Sequence, residues 1–356
     1  VHNSYSIGLI GCGTIAPNWI KAVSQKKETN IELVYDLDEN AATKRAGEAN
    51  AKVASNLHEI ITSNNINLVI VCTPTGSHPE LVFEAARNKK HVMCEKPMAL
   101  DLNSCKQMIN ACNENGVKLA IGHTLRFKDA FLTCRKMIAE GAIGSLVSGN
   151  IDRMAATQLP DASSSLPFGE KDPSHWRRNP RTSGGIALEL FIHEIDITRE
   201  LFGEVSSVMC EMSKNVEYDG LISPQLAKAL VCFESGALVT MRTGGTVAMP
   251  TKNYWMAGTE GGLRFTEWGG PVEHYRHDLG KMQTVECESL ESHYLELCDL
   301  INAIESRNEP ENSGINGMRN VALALAMYQS CESGRRIEFT DGIPIGMPFN
   351  YRNTQW

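Results

Sequence analysis

Three ionisable residues, Glu189, His193 and Asp196, recur at i, i+4 and i+7 inside the apolar run Ile186-Ala187-Leu188-Glu189-Leu190-Phe191-Ile192-His193-Glu194-Ile195-Asp196-Ile197. In a helix that spacing puts them on one face. Apolar neighbours around them imply a buried helix, where ionisable groups are costly unless paired or put to use. The face is therefore either a hydrogen-bonded network or one wall of an active site. Metal binding is the competing chemistry and fits poorly. Ile197 stands where an H-E-x-x-H needs its second histidine, and nothing nearby completes a ligand set around Glu189 and His193. No metal is expected. Ser183, ahead of Gly184-Gly185, is the expected N-cap, and the glycines let another group approach the helix start closely.

A second constellation lies near the amino terminus. The apolar run Ser6-Ile7-Gly8-Leu9-Ile10 leads into Gly11-Cys12-Gly13-Thr14-Ile15-Ala16, a G-x-G-x-x-A, and then a helix expected over 19–26. Gly11 permits a tight turn, Gly13 lets backbone approach a pyrophosphate, and Ala16 allows close helix–strand packing. The helix start then offers N–H groups and a positive dipole end to phosphate. Asp36 closes the next apolar run, Ile31-Glu32-Leu33-Val34-Tyr35, twenty positions beyond Ala16. A carboxylate there accepts hydrogen bonds from an adenosine ribose and, with Asp38 close by, repels the extra phosphate of NADP. NAD is the expected cofactor and NADP the less favoured one.

These residues need a scaffold, and the pattern supplies it. Apolar runs at 6–10, 31–35, 68–72, 91–94 and 118–121 alternate with helical stretches at 19–26, 79–88 and 102–115. Right-handed β-α-β crossovers of this kind build an α/β, doubly wound parallel sheet, with ligands at the carboxyl ends of its strands. Thr73-Pro74-Thr75-Gly76-Ser77-His78 and Glu95-Lys96-Pro97 fall at such ends. At 356 residues the chain has room for about two domains at roughly 150 residues each. Its 34 Lys+Arg against 42 Asp+Glu give a net charge of −8, which suits neither a nucleic acid nor an anionic membrane as partner. No apolar run approaches a membrane span, and the first residues lack the pattern of a secretory signal. Eleven scattered cysteines without a C-x-x-C read as small buried hydrophobes in a reducing compartment, so a cytoplasmic protein is expected.

Taken together, the Gly-rich turn, Cys72-Thr73-Pro74…His78, and above all Lys90-His91-Val92-Met93-Cys94-Glu95-Lys96-Pro97 resemble the glucose–fructose oxidoreductase/inositol dehydrogenase family. Gly122-His123-x-x-Arg126-Phe127, Gly141-Ala142-Ile143-Gly144, the stretch from Trp176-Arg177 to Asp196, and Gly258-Thr259-Glu260-Gly261 extend the resemblance over nearly the whole chain. It implies a Rossmann domain over 1–122 and, over 123–356, an α/β domain with an open, largely antiparallel sheet for substrate binding and oligomerisation. It further implies that Gly11, Cys12, Gly13, Thr14, Ile15, Asp36, Cys72, Thr73, Pro74, His78, Glu95 and Lys96 hold the dinucleotide, with a cis bond between Lys96 and Pro97.

The implied reaction is oxidation of a secondary hydroxyl on a cyclic polyol, an inositol or a sugar, with hydride passing to the nicotinamide. His193 is then the general base, since its ordinary pKa lies near the operating range. Lys96 holds the same oxygen and stabilises its growing charge. Glu189 stands where many relatives carry aspartate, and orients His193 or binds a neighbouring hydroxyl. Arg126, Trp176, Arg177 and Asp196 are the expected substrate contacts, and Arg177, Arg178 and Arg181 form a basic cluster suited to a phosphate or nucleotide. Residues 155–175 read as a long loop, expected to act as a lid. In the second half, Ala229-Leu230-Val231-Cys232-Phe233 and Ala237-Leu238-Val239-Thr240-Met241 flank a hairpin turn at Glu234-Ser235-Gly236. The first strand is apolar on both faces, so a second subunit is expected to cover one of them, giving a homodimer or tetramer. Two other readings stay open: an NAD-using enzyme with no net redox, and a non-catalytic NAD- or sugar-sensing protein.

Overall fold

The computed structural model describes residues 4–154, 176–177, 179–218, 221–245 and 249–353. The 155–175 loop and Arg178 of the basic cluster lie outside them. The chain divides into two compact units, Val1–Thr124 with Glu291–Met318, and Leu125–Leu290 with Arg319–Trp356.

The first unit alternates as the pattern requires: β1 (Tyr5–Ile10), α1 (Ala16–Gln25), β2 (Thr29–Tyr35), α2 (Glu39–Ala49), β3 (Lys52–Val53), α3 (Leu57–Thr62), β4 (Leu68–Val71), α4 (His78–Arg87), β5 (His91–Glu95), α5 (Leu102–Asn115) and β6 (Leu119–Gly122). The six strands form one parallel sheet in the order β3-β2-β1-β4-β5-β6. β4 is wholly buried, which is why all four of its residues are apolar. Local residues set the ends of these helices. Asp38 accepts from the N–H groups of Asn40 and Ala41 to start α2, and Asp101 from Ser104 to start α5, which Gly116 ends in a left-handed conformation.

The second unit opens with α6 (Asp129–Ala139) and β7 (Leu146–Met154), followed by α7 (Pro180–Ser183), α8 (Gly185–Glu189) and α9 (Ile192–Phe202). The chain then runs through β8 (Val205–Tyr218), β9 (Leu221–Phe233), β10 (Leu238–Gly244), β11 (Thr251–Gly258), β12 (Gly261–Phe265), β13 (Val272–Arg276) and β14 (Lys281–Val285), with β7 inserted between β10 and β11. The chain returns to the first unit in α10 (Ser292–Ser306), and α11 (Gly314–Ser333) leads back to β15 (Ile337–Thr340) and β16 (Ile343–Pro344). The second sheet has the order β14-β13-β12-β11-β7-β10-β9-β8-β15-β16, and β10 with β7 is its parallel pair. A division at residue 122 thus omits one segment: α10 packs on α1, and the His293 ring meets Trp19 edge-on at 5.1 Å. This is long-range packing, which periodicity along the chain does not encode.

The covered face of the second sheet is anchored by Tyr254 stacked on Phe265 at 4.7 Å, with Phe131 edge-on to Phe265 at 4.8 Å. Such pairs add about 0.5–1.5 kcal/mol each beyond the apolar area they bury. Into this apolar layer projects Glu194, with no solvent exposure. The Tyr254 hydroxyl donates to its Oε1 at 2.9 Å, Trp268 Nε1–H donates to that hydroxyl at 2.9 Å, and Arg153 Nη1 stands 3.6 Å from Oε2. Burial, only partly offset by Arg153 and Tyr254, raises the Glu194 pKa above its ordinary value of 4.5. The unfolded chain therefore ionises first, and the folded state loses stability as pH rises from the ordinary range towards the native pKa. Glu194→Gln, which still accepts from Tyr254, is expected to gain unfolding free energy relative to the parent between pH 4.5 and 8, measured by urea titration. A gap that narrows as pH rises would show that the Arg153 pair outweighs the burial penalty.

Candidate functional site

In the first unit, β1 and β4 pair with Ile10 opposite Val71, so Gly11 arrives directly beside Cys72. Gly11 has φ +94°, and a Cβ there would lie 2.6 Å from the Cys72 carbonyl carbon and 2.8 Å from Thr73 N. Gly13 is the opposite case: it is exposed, and a Cβ would meet nothing within 4 Å. Empty space over Gly13, next to a helix that no side chain caps, fits a pyrophosphate approaching the start of α1. Thr14 is exposed beside it, Ile15 is half-buried, and Cys12 is buried, so Cys12 offers only its backbone. Burial and the Asp36 carboxylate push the Cys12 thiol up to about 12, which makes it inert.

Asp36 lies at the end of β2, where its carboxylate accepts from Cys12 N–H at 2.6 Å and from Asp38 N–H at 2.9 Å. A cavity of about 600 Å³ opens next to it, lined by Tyr35, Asp36, Leu37, Val53, Ala54 and Ser55. Arg45 packs on the same turn, with Nε 3.2 Å from Cys12 O, but both Glu48 carboxylate oxygens hold its Nη1. The turn thus presents a fixed anion and an already neutralised cation, which suits a ribose diol better than a 2′-phosphate.

Lys96 follows β5 directly, its bond to Pro97 is cis, and Glu95 before it is buried. The Glu95 carboxylate accepts from Trp19 Nε1–H at 2.8 Å and from Lys96 N–H at 3.2 Å. His78, grouped above with the cofactor contacts, has no exposed surface. Its Nε2 lies 2.9 Å from Thr73 O and its Nδ1 3.0 Å from Pro97 O. The ring therefore sits inside the protein and ties the loop after β4 to the loop after β5, and burial lowers its pKa. Thr73 is half-buried and held by the Ser77 hydroxyl at 2.8 Å, Cys72 is half-buried, and Pro74 is exposed.

The second unit modifies the helix expected over 186–197. Its backbone breaks at Leu190–Phe191, separating α8 from α9, with both amides donating to Ile186 O. Glu189 and His193 consequently sit on consecutive helices rather than on one straight face. Nor is Ser183 the N-cap of this segment. It ends α7, and its hydroxyl accepts from Gly185 N–H at 3.2 Å. The capping oxygen comes from Tyr328, which accepts from Ala187 N–H at 2.9 Å and donates to Gly184 O at 3.0 Å. Tyr328 lies in the Ala/Leu-rich α11, and no local signal in 183–189 points to it.

Glu189 is buried and pairs with Arg177 Nε at 3.1 Å, while the Arg177 guanidinium lies 5.1 Å from the Trp176 ring centre. These three expected site residues are brought together. His193 is half-buried in the first turn of α9. Arg126 and Asp196, expected to touch substrate, are instead buried against each other. Arg126 Nε and Nη2 donate to the Asp196 carboxylate at 2.8 and 2.9 Å, and Nη1 pairs with Glu200 at 2.5 Å. Asn320 adds a bond to Asp196 at 2.6 Å and accepts from Arg199 at the same distance. Sequence reasoning missed Asn320, Arg199 and Glu200. For Asn320 the available signal was a buried polar residue directly ahead of the apolar run 321–327 of α11.

Two family models describe this chain. One, for an oxidoreductase family with an NAD-binding Rossmann fold, matches residues 5–123, and its companion for the carboxyl-terminal alpha/beta domain matches 135–339. The chain belongs to the Gfo/Idh/MocA oxidoreductase family. Among its members, 2,7-anhydro-N-acetylneuraminate hydratase of Escherichia coli strain K12 is 30% identical, over 75% of this chain and 71% of the relative. Myo-inositol 2-dehydrogenase of Thermotoga maritima is 27% identical, over 95% and 99%. The solved structure of the WlbA dehydrogenase from Bordetella pertussis with NADH and UDP-GlcNAcA shares the fold at a TM-score of 0.81 and 22% identity, over 98% and 99%.

The Gfo/Idh/MocA chain is thus an NAD-binding oxidoreductase, and the turn geometry described above fits that cofactor. Among the described residues no helix is long and apolar enough to cross a membrane. Its two fingerprint glycines should fail in different ways. Gly13→Ala is expected to leave the melting temperature unchanged while weakening NADH binding at least tenfold by fluorescence titration. Gly11→Ala is expected to destabilise the first unit by about 1–3 kcal/mol, the usual cost of a strained backbone position.

Proposed function

We propose that this Gfo/Idh/MocA member oxidises a secondary hydroxyl of a cyclic polyol, an inositol or a sugar, to a ketone. The observation carrying this reading is the carboxyl edge of one parallel sheet. There the dinucleotide turn after β1 and Lys96 after β5 are both set by buried contacts, Gly11 against Cys72 and Glu95 against Trp19. NAD, when bound, supplies the hydride acceptor. In this reading Lys96 donates to the reacting oxygen and stabilises its negative charge, and His193 takes the hydroxyl proton. Glu189, held by Arg177, orients His193 or binds an adjacent hydroxyl. Arg126 and Asp196, buried in one network with Glu200 and Asn320, set the position of α9 in this reading instead of touching substrate. Trp176 and Arg177 remain the substrate contacts.

A second reading keeps the cofactor with no net redox: transient oxidation, then elimination or addition of water. The 30% identical hydratase favours it specifically. The non-catalytic sensor reading has no such support. The test is absorbance at 340 nm with NAD or NADP and a panel of myo-inositol, scyllo-inositol, glucose, glucose 6-phosphate, UDP-N-acetylglucosamine and 2,7-anhydro-N-acetylneuraminate. NADH accumulation with one compound, lost at least a hundredfold in Lys96→Ala and His193→Ala, supports the dehydrogenase. Product formation without net NADH supports the second reading, and a preference for NADP would overturn the role given to Asp36.

The same proposal places the protein in the cytoplasm, in keeping with its eleven free cysteines, and makes it a homo-oligomer. One face of β9 is buried through Ala229, Val231 and Phe233, while Leu230 on the other is 39% exposed. In register across neighbouring strands, the exposed Met209, Leu230, Thr240 and Trp255 form one row with the half-buried Asn150. Leu230→Arg is expected to shift the mass measured by light scattering from an oligomer to a monomer.

A further inference from the structure

Among the described residues Trp19 is the bulkiest wholly buried side chain, set in the core between α1 and the parallel sheet. An indole N–H in such a place needs an acceptor, since an unmet buried donor is costly. A carbonyl would suffice. What it has is a carboxylate, Oε1 of Glu95 at 2.8 Å, and bonds to ionised acceptors are the stronger kind. The second oxygen, Oε2, receives the backbone N–H of Lys96 at 3.2 Å. Below the carboxylate lies Gly122, the residue paired with Glu95 across β5 and β6. A Cβ at Gly122 would stand 3.2 Å from the carboxyl carbon and both its oxygens, closer than such contacts normally come, so any larger residue there would push the carboxylate aside by a few tenths of an ångström.

We propose that Trp19 is a positioning residue for Lys96. Its N–H, with Gly122 beneath, fixes the Glu95 carboxylate that holds the Lys96 backbone. The consequence is mechanical. The helix whose start forms the dinucleotide turn carries, one turn further on, the group that sets the lysine, so cofactor and lysine are placed by one rigid body. The His293 ring of α10 packs against the indole with its plane nearly perpendicular, at 5.1 Å between ring centres, which restrains the ring plane and hence the direction of its N–H. The proposal rests on the catalytic reading of Lys96, but its first test does not.

That test is amide hydrogen exchange at Lys96 in the NAD-saturated protein, followed by mass spectrometry of peptides that differ by this residue. Trp19→Phe keeps the ring in the core and removes the N–H. It is expected to speed Lys96 exchange about tenfold to a hundredfold, the range for losing a hydrogen bond to a charged group. It should also lower kcat by a similar factor, on the substrate identified from the panel, while KM for NAD stays within threefold. Trp19→His, which retains a ring N–H, should recover part of both. Unchanged Lys96 exchange in a Trp19→Phe protein of parental melting temperature overturns the proposal, as does a fall in kcat matched by an equal rise in KM for NAD. If Trp19→Phe does not fold, Gly122→Ala decides by the same readouts, because it displaces the carboxylate and leaves the indole in place. Failure of the catalytic reading is recognised separately: Lys96→Ala would then keep its turnover, whatever the exchange data show.

Discussion

Much of the first unit depends on one close approach, that of the Gly11 backbone to the backbone of Cys72 and Thr73. Adjacent parallel strands bring the ends of β1 and β4 side by side, and no side chain fits between them. With that gap closed, the Gly-rich turn has a single path into α1, and the loop after β4 has a fixed wall. His78 then extends the restraint to the next loop, since its buried ring lies against carbonyls of both Thr73 and Pro97. A sheet edge that would otherwise be three independent loops becomes one surface.

In the second unit the governing cost is that of burying charge. α9 carries Glu194, Asp196 and Arg199 into the interior, and each is answered from elsewhere in the fold: Glu194 by Tyr254 and Arg153, Asp196 by Arg126 and Asn320, Arg199 by Asn320 and Glu204. Removing one member of a well-bonded buried pair such as Arg126–Asp196 typically costs about 3–5 kcal/mol, because the survivor is left uncompensated. That penalty locks the helix in rotation and translation, and a histidine in its first turn is held with it. Such a network adds little net stability over an apolar one, but it tolerates few alternative packings.

The alternation of strands and helices in the first unit was legible because each signal is local: apolar runs, glycines at fixed offsets, and Asp38, Asp101 and Gly116 at helix ends. Candidate site residues stand out where a residue's type is itself unusual, as with Lys96, Glu189 and His193. The arrangement was not legible where one residue serves another far along the chain. Ser183 has the composition of an N-cap, yet Tyr328, some 140 positions away, supplies the oxygen. Arg126 and Asp196 have the types expected of substrate contacts, yet they are buried against each other, with Glu200 and Asn320 completing the network.

By itself, then, the sequence determined the fold class, the dinucleotide turn and its NAD cofactor, and the residue types able to move a proton or hold an oxyanion. These follow from backbone freedom, period and intrinsic acidity, which act over a few residues. Only the tertiary structure decided which charged groups are already satisfied. It also decided where the helix at 186–197 breaks, that α10 belongs with the first unit, and that Trp19 reaches Glu95. Those outcomes turn on distances of about 3 Å between residues far apart in the chain, and the free energy of a buried polar group is set by that partner rather than by its neighbours in sequence.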